Sequence, residues 1–213
     1  MNEIGLGVND IDTPFLWVDL DTMESNIRTL ARFFREAGVA WRPHIKGIRA
    51  PDVALRLVDA GAIGVTCATV LEAEYMADAG IRDLLIAHQL VGVGKYRRVA
   101  ALRRRADVKV AVDSDATLAE LGRAAVVAGV EIGILLEVDT GMHRAGVSPG
   151  AAALTLARRV QDTLGLRLRG VMGWEGHTPG IADPDRKRLE IERSVGLLVE
   201  TAGLLREAGF PVD

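Results

Sequence analysis

The run Trp41–Gly47 sets Lys46 at the end of a short apolar stretch and follows it at once with Gly47. A lysine amine that has shed its proton attacks carbonyl compounds and forms an imine. In an α/β barrel such groups are presented at the C-terminal ends of the strands, where the connecting loops surround a substrate. The other predicted strand ends carry Thr66 and Cys67, His88 and Gln89, Asp113 and Ser114, Asp139 with Arg144, and Glu175 with His177. All four histidines, His44, His88, His143 and His177, lie at or just past such an end. Taken singly, Lys46 reads as a solvated surface cation and each histidine as a ring bonded to loop backbone. Taken together they describe one reactive face.

Several other chemistries lack their pattern. No HxxxH or HxH spacing gathers the histidines for a metal. Gly92, Gly94 and Lys95 imitate a phosphate loop, but Gln89 stands where that loop needs glycine and Tyr96 where it needs Ser or Thr. No GxGxxG follows the first predicted strand, and there is no GxSxG elbow. Cys67 reads as a small core residue beside a strand end.

Positioning those ends requires strands that alternate with helices. A strand is predicted over 15–19 and a helix over 21–37, with Asp21 and Glu24 at capping-box spacing. Strands then follow over 40–46, 62–67, 83–87, 108–112, 131–139 and 166–173. Between them, helices are predicted over 51–60, 70–79, 95–105, 115–128 and 149–163. A last helix starts at Asp183 and Pro184, an N-cap and a first-turn proline, and ends at Gly209; its apolar face is Ile191, Val195, Leu198, Ala202 and Leu205. Repeated strand–helix units imply a parallel sheet with right-handed crossovers. Setting aside the N-terminal strand, six are counted, and a closed barrel of this type needs about eight. The expected fold is an incomplete TIM-like (β/α)8 barrel forming one domain over residues 1–213, open at its edges.

The chain has 213 residues and a formal charge of −3, which leaves no electrostatic footprint for nucleic acid. Arg103, Arg104 and Arg105 read as a solvated helix end. No apolar run approaches about 18 residues, so no membrane span is expected. A single cysteine excludes an internal disulfide and, with no signal-peptide pattern in residues 1–12, predicts a cytoplasmic protein.

In order along the chain stand TPFLWVDLD (13–21), RPHIK (42–46), GVTCA (64–68), Glu72 and Glu74, IAHQLVG (86–92), EVDTGMHRAGV (137–147) and GWEGH (173–177). Together they resemble the D-threonine aldolase and D-serine dehydratase family, within the wider alanine-racemase-type barrels that use pyridoxal phosphate. The resemblance implies that Lys46 holds the cofactor, that Arg144 lies beside its ring, and that Gln89 and His177 line the site. It implies a lyase acting on small D-3-hydroxy amino acids, with retro-aldol cleavage of D-threonine-type substrates to glycine and an aldehyde. The alternatives are a D-serine dehydratase or deaminase, a non-catalytic remnant that binds the cofactor, and an unrelated phosphate-binding barrel in which Lys46 is a plain cation. A homodimer is expected.

The sequence departs from the family in several places. Lys46 is followed by Gly47, Ile48 and Arg49 where relatives continue Thr-His-Lys; Ala145 replaces a cysteine, and Trp174 a tyrosine. The family's Ser-Gly-Gly-Gly-Thr-type phosphate loop and its C-terminal β domain, which supplies ligands for Mn²⁺ or Zn²⁺, have no counterpart here, so no metal ligand is assigned in this chain. Lys46, Arg144 and His177 are expected on one rim, with Lys46 within about 15 Å of at least one of the other two, since a strand-end site clusters at one face. Lacking the phosphate loop and metal ligands, the chain alone is expected to show at most trace turnover.

Overall fold

A computed structural model describes residues 5–212 and divides into two compact units, residues 1–41 and 42–213. In the first, the described elements are a 3-10 turn at Val8–Asp10, a cis Thr13–Pro14 peptide and helix α1 (Leu20–Glu36). The cap is Asp19 and not Asp21: its carboxylate accepts the Thr22 N–H at 2.7 Å, which also lowers its pKa. Trp41 stacks on Phe34 with ring centroids 5.9 Å apart. The strand expected over 15–19 does not form; those residues belong to no strand, and Leu16, Trp17 and Val18 are exposed. Apolar composition alone does not make a strand without a ladder partner.

The second unit alternates helix and strand: α2 (Pro51–Asp59), β1 (Val65–Cys67), α3 (Val70–Asp78), β2 (Asp83–Ile86), α4 (Val93–Arg103), β3 (Asp107–Val112), α5 (Asp115–Ala128), β4 (Ile132–Val138), α6 (Ala151–Asp162), β5 (Leu166–Gly173) and α7 (Pro184–Glu207). All strand pairs are parallel and the order is sequential, β1-β2-β3-β4-β5.

Among the described residues there are therefore five strands where six were expected. The missing one is 40–46. It touches β1 through a single parallel bridge, His44 to Thr66, with the Thr66 N–H reaching Pro43 O at 2.8 Å. Pro43 has no N–H to extend the ladder. The His44 ring then takes the Lys46 N–H on Nδ1 at 3.2 Å, and the chain turns into a 3-10 helix at Ile45–Gly47.

Strand alternation gives the sheet two different faces. On one, Val65, Leu84, Ile86, Val108, Val110, Ile132, Ile134 and Leu136 are fully buried under the helices, packed in one core with Met76, Val99, Leu121, Val160 and Leu205. The other face carries Thr66, Leu85, Lys109, Gly133, Leu135 and Glu137. Asp83 and Asp107 stand directly opposite each other in the ladder. Lys109 Nζ binds both at 2.7 Å, and Arg42 adds a 2.7 Å bond to Asp83. Arg42 fits there because residue 64 is glycine, at φ +150°: a Cβ would run into the Asp83 carbonyl and the Arg42 guanidinium.

α7 starts as expected, capped by Asp183 on the Arg186 N–H at 2.7 Å with Pro184 in its first turn. Its buried line differs from the apolar reading. Ile191 and Val195 are exposed, and Ser194 is buried in their place, donating to the Thr140 carbonyl at 2.9 Å. Among the described residues no helix is long and apolar enough to cross a membrane.

Candidate functional site

At the C-terminal ends of the strands lies a cavity of about 440 Å³, in the size range of small-molecule sites. Lys46 enters it from the 3-10 turn, with His44 and Arg42 on the same side. Thr66, Leu85 and Ala87 come from β1 and the end of β2; Glu137, Arg144, Met172 and Trp174 close the far wall. Lys46 Nζ lies 5.9 Å from the centroid of the Trp174 ring, at the limit of a cation–π contact. The indole is itself pressed against the Gly176 backbone, where a Cβ would strike Nε1.

Neither Arg42 nor His44 stands as a free cation beside Lys46. Arg42 is committed to Asp83 through its 2.7 Å ion pair and a 3.4 Å bond to the Asp83 carbonyl. The His44 pKa is lowered, first by burial and then by the Lys46 charge, against an opposing pull from Glu72. His44 is thus a neutral ring whose Nδ1 accepts a backbone N–H.

Arg144 sits on the loop after β4, and the backbone of that loop is closely held. Val138 and Val147 form a parallel bridge at its base, with the Asp139 N–H on Val147 O and the Val147 N–H on Glu137 O, each at 2.9 Å. Asp139 Oδ1 accepts the N–H groups of Gly141 and His143 at 3.0 Å, and Oδ2 faces His143 Nδ1 at 2.9 Å. Partial burial would raise the Asp139 pKa, but these bonds outweigh it and hold it below the ordinary carboxylate value. Gly146, at φ +102°, passes so close to Asp139 N that a Cβ would come within 2.5 Å, and its N–H binds Asp113 Oδ2 at 3.1 Å.

Of the four residues picked from the sequence, Lys46 and Arg144 line the same cavity. Gln89 stands one residue removed: its side-chain amide donates to the Glu137 carboxylate, and Glu137 lines the cavity. His177 does not line it. Its ring packs on Gly141, and its Nδ1 is buried with no hydrogen-bond partner among the described residues. Glu137 was not picked as a site residue, although Gly133, Leu135 and Glu137 alternate onto the inner face of β4 and a carboxylate there is conspicuous. His88 and His143 are exposed, and Cys67 is buried with its thiol pushed up to about 12 by burial. A groove of about 470 Å³ between α4 and α5 is comparable in size; in it Arg104 is bound to the Ala128 carbonyl, Glu120 is paired with Arg123, and the Tyr96 hydroxyl donates to the Leu90 carbonyl.

The cavity fits a pyridoxal-type cofactor in three respects. It offers a primary amine, a planar aromatic wall in Trp174, and the Arg144 cation. Among the described residues no three His, Cys, Asp or Glu side chains are grouped to hold a metal ion.

Comparison with known proteins bears on the family and the fold. Residues 18–212 match the family described as alanine racemase, N-terminal domain. A D-threonine aldolase from an Arthrobacter species is 34% identical over 95% of this chain and 54% of its own length. A D-threo-3-hydroxyaspartate dehydratase from a Delftia species is 35% identical over 94% of the chain and 53% of its own. The crystal structure of D-threonine aldolase from Filomicrobium marinum superposes with a TM-score of 0.94 at 37% identity, covering 96% of this chain and 56% of that one. The chain thus spans about half the length of these relatives. On the match over nearly its whole length, this chain belongs to the alanine racemase N-terminal domain family.

Proposed function

We propose that the chain forms the cofactor-holding part of a pyridoxal-phosphate lyase for small D-3-hydroxy amino acids, cleaving D-threonine-type substrates to glycine and an aldehyde. The observation that carries this reading is Lys46 set in one cavity with Arg144, Glu137 and Trp174, in a chain similar to enzymes named for that chemistry. Bound pyridoxal phosphate would supply an electron sink for charge developing at the substrate Cα.

The chain's own residues supply the rest. Lys46 Nζ must be neutral to link the cofactor. Neutral His44 holds the Lys46 backbone from behind and adds no cation beside the amine. Glu137, fixed by Gln89, presents a rigid acceptor, and Arg144 a cation. Met172, Leu85 and Trp174 give the cavity an apolar lining. His177 would act only through the Arg144 loop it packs against. A divalent metal on the substrate hydroxyl, as Mn²⁺ or Zn²⁺, belongs to this reading with ligands outside the described residues, and so does a homodimer.

The test is incubation with pyridoxal phosphate. A visible absorbance band, abolished by borohydride with mass added at Lys46 and absent in Lys46→Ala, supports the cofactor site. Its absence refutes it. Assay with D-threonine, D-serine and 3-hydroxy-D-aspartate with Mn²⁺ then separates aldol cleavage from dehydration.

A further inference from the structure

We infer that Asp139 is the positioning residue for Arg144, the group whose single carboxylate sets the arch 139–146 and so aims the guanidinium into the cavity. The inference deepens the proposed function, since it concerns the same site. Three bonds of the arch end on this one side chain: the Gly141 and His143 N–H groups at 3.0 Å and the His143 ring at 2.9 Å. His143 directly precedes Arg144 and has φ 55°, a left-handed conformation that few non-glycine residues adopt. Both of its polar contacts that could impose it are to Asp139. The direction in which Arg144 leaves the backbone therefore depends on that carboxylate.

The rest of the arch is held from outside, which leaves Asp139 as its internal strut. Ser194 of α7 holds the Thr140 carbonyl, Asp113 at the end of β3 holds the Gly146 N–H, and the Val138–Val147 bridge closes the base. Arg144 itself has no hydrogen bond or ion pair among the described residues, so its own side chain does nothing to fix its place.

The test uses the full chain with Asp139→Asn and Asp139→Ala. Asn keeps one oxygen for the two N–H groups and Ala keeps none, so a graded response is expected. Tryptic cleavage after Arg144 should rise at least ten-fold in Asp139→Ala and less in Asp139→Asn, with cleavage after the exposed Arg188 unchanged. No rise at Arg144, or an equal rise at both sites, overturns the inference, the second outcome marking a general loss of structure. Should Asp139→Ala not fold, Asp139→Asn against wild type decides by the same two sites.

A second readout reports position rather than order. Affinity for pyridoxal phosphate should fall several-fold in Asp139→Asn but not change further when the same substitution is made in Arg144→Met. Additive losses overturn the inference. If the wild-type chain takes up no pyridoxal phosphate, the proposed function fails, and the tryptic comparison alone decides the role of Asp139.

Discussion

Gln89 and Glu137 meet across β3: the amide at the end of β2 donates to the carboxylate near the end of β4, which is 4% exposed. The bond ties the loop after β2 to the end of β4, and it makes Glu137 a fixed feature of the site. Replacing Gln89 with Leu removes the donor while leaving the buried acceptor. A loss of about 1–3 kcal/mol in unfolding free energy is expected, with weaker cofactor uptake. Denaturant titration and pyridoxal-phosphate titration check the two effects.

Lys109 neutralises two aspartates that face each other in the ladder. Lys109→Met leaves Asp83 and Asp107 side by side, although Arg42 still reaches Asp83. Breaking a buried pair costs about 3–5 kcal/mol; both aspartates are about one-third exposed, so roughly 2 kcal/mol is expected here. Pairing the change with Asp107→Asn should recover part of it. Thermal melts of the single and double variants test the coupling.

The same pair gives an acid dependence. Burial alone would raise the pKa of Asp83, but the bonds from Arg42 and Lys109 outweigh it and lower it; for Asp107 the Lys109 bond does the same. Depressed folded values mean that the unfolded chain binds protons first as pH falls. The stabilisation is complete above the unfolded carboxylate pKa of about 3.9 and is lost as pH drops through the lower folded values. In Lys109→Met this part of the acid transition should shift to higher pH, as followed by circular dichroism between pH 5 and 2.

Cys67 is fully buried, and its thiol is pushed up to about 12. Alkylation in the folded chain at pH 8 should be slower than in the denatured chain by at least ~100-fold, because the thiolate is the reacting form. Cys67→Ala should leave cofactor binding intact. Rapid labelling of the native chain would show the strand end to be open.

The strand–helix alternation was readable because buried parallel strands are short apolar runs between helical periods, and β5 and the start of α7 fell where those signals stood. Residues 40–46 looked like another such run. The structure turns there because Pro43 cannot donate and the His44 ring takes the next free N–H, a side-chain choice that apolar patterning does not encode. Capping-box spacing favours Asp21; only the backbone conformation makes Asp19 the cap. In the site, Lys46 and Arg144 were visible through their motifs, whereas Glu137 was passed over inside an apolar strand. His177 packs beneath the loop because strand ends that share a rim need not share a cavity.

The sequential order of the sheet also bears on how the chain acquires its shape. Each strand pairs with the next one to emerge, Val65 with Leu84, Asp83 with Asp107, Lys109 with Gly133, and Ile132 with Leu166. Closing these loops in turn costs little entropy at each step, and among the described strands no pairing waits on a distant segment. A ribosome delivering this chain from its N-terminus would therefore allow the sheet to grow strand by strand as it emerges. The widest interval, between β4 and β5, contains the Arg144 arch, so β5 docks only after that loop has emerged and brings with it the wall carrying Met172 and Trp174.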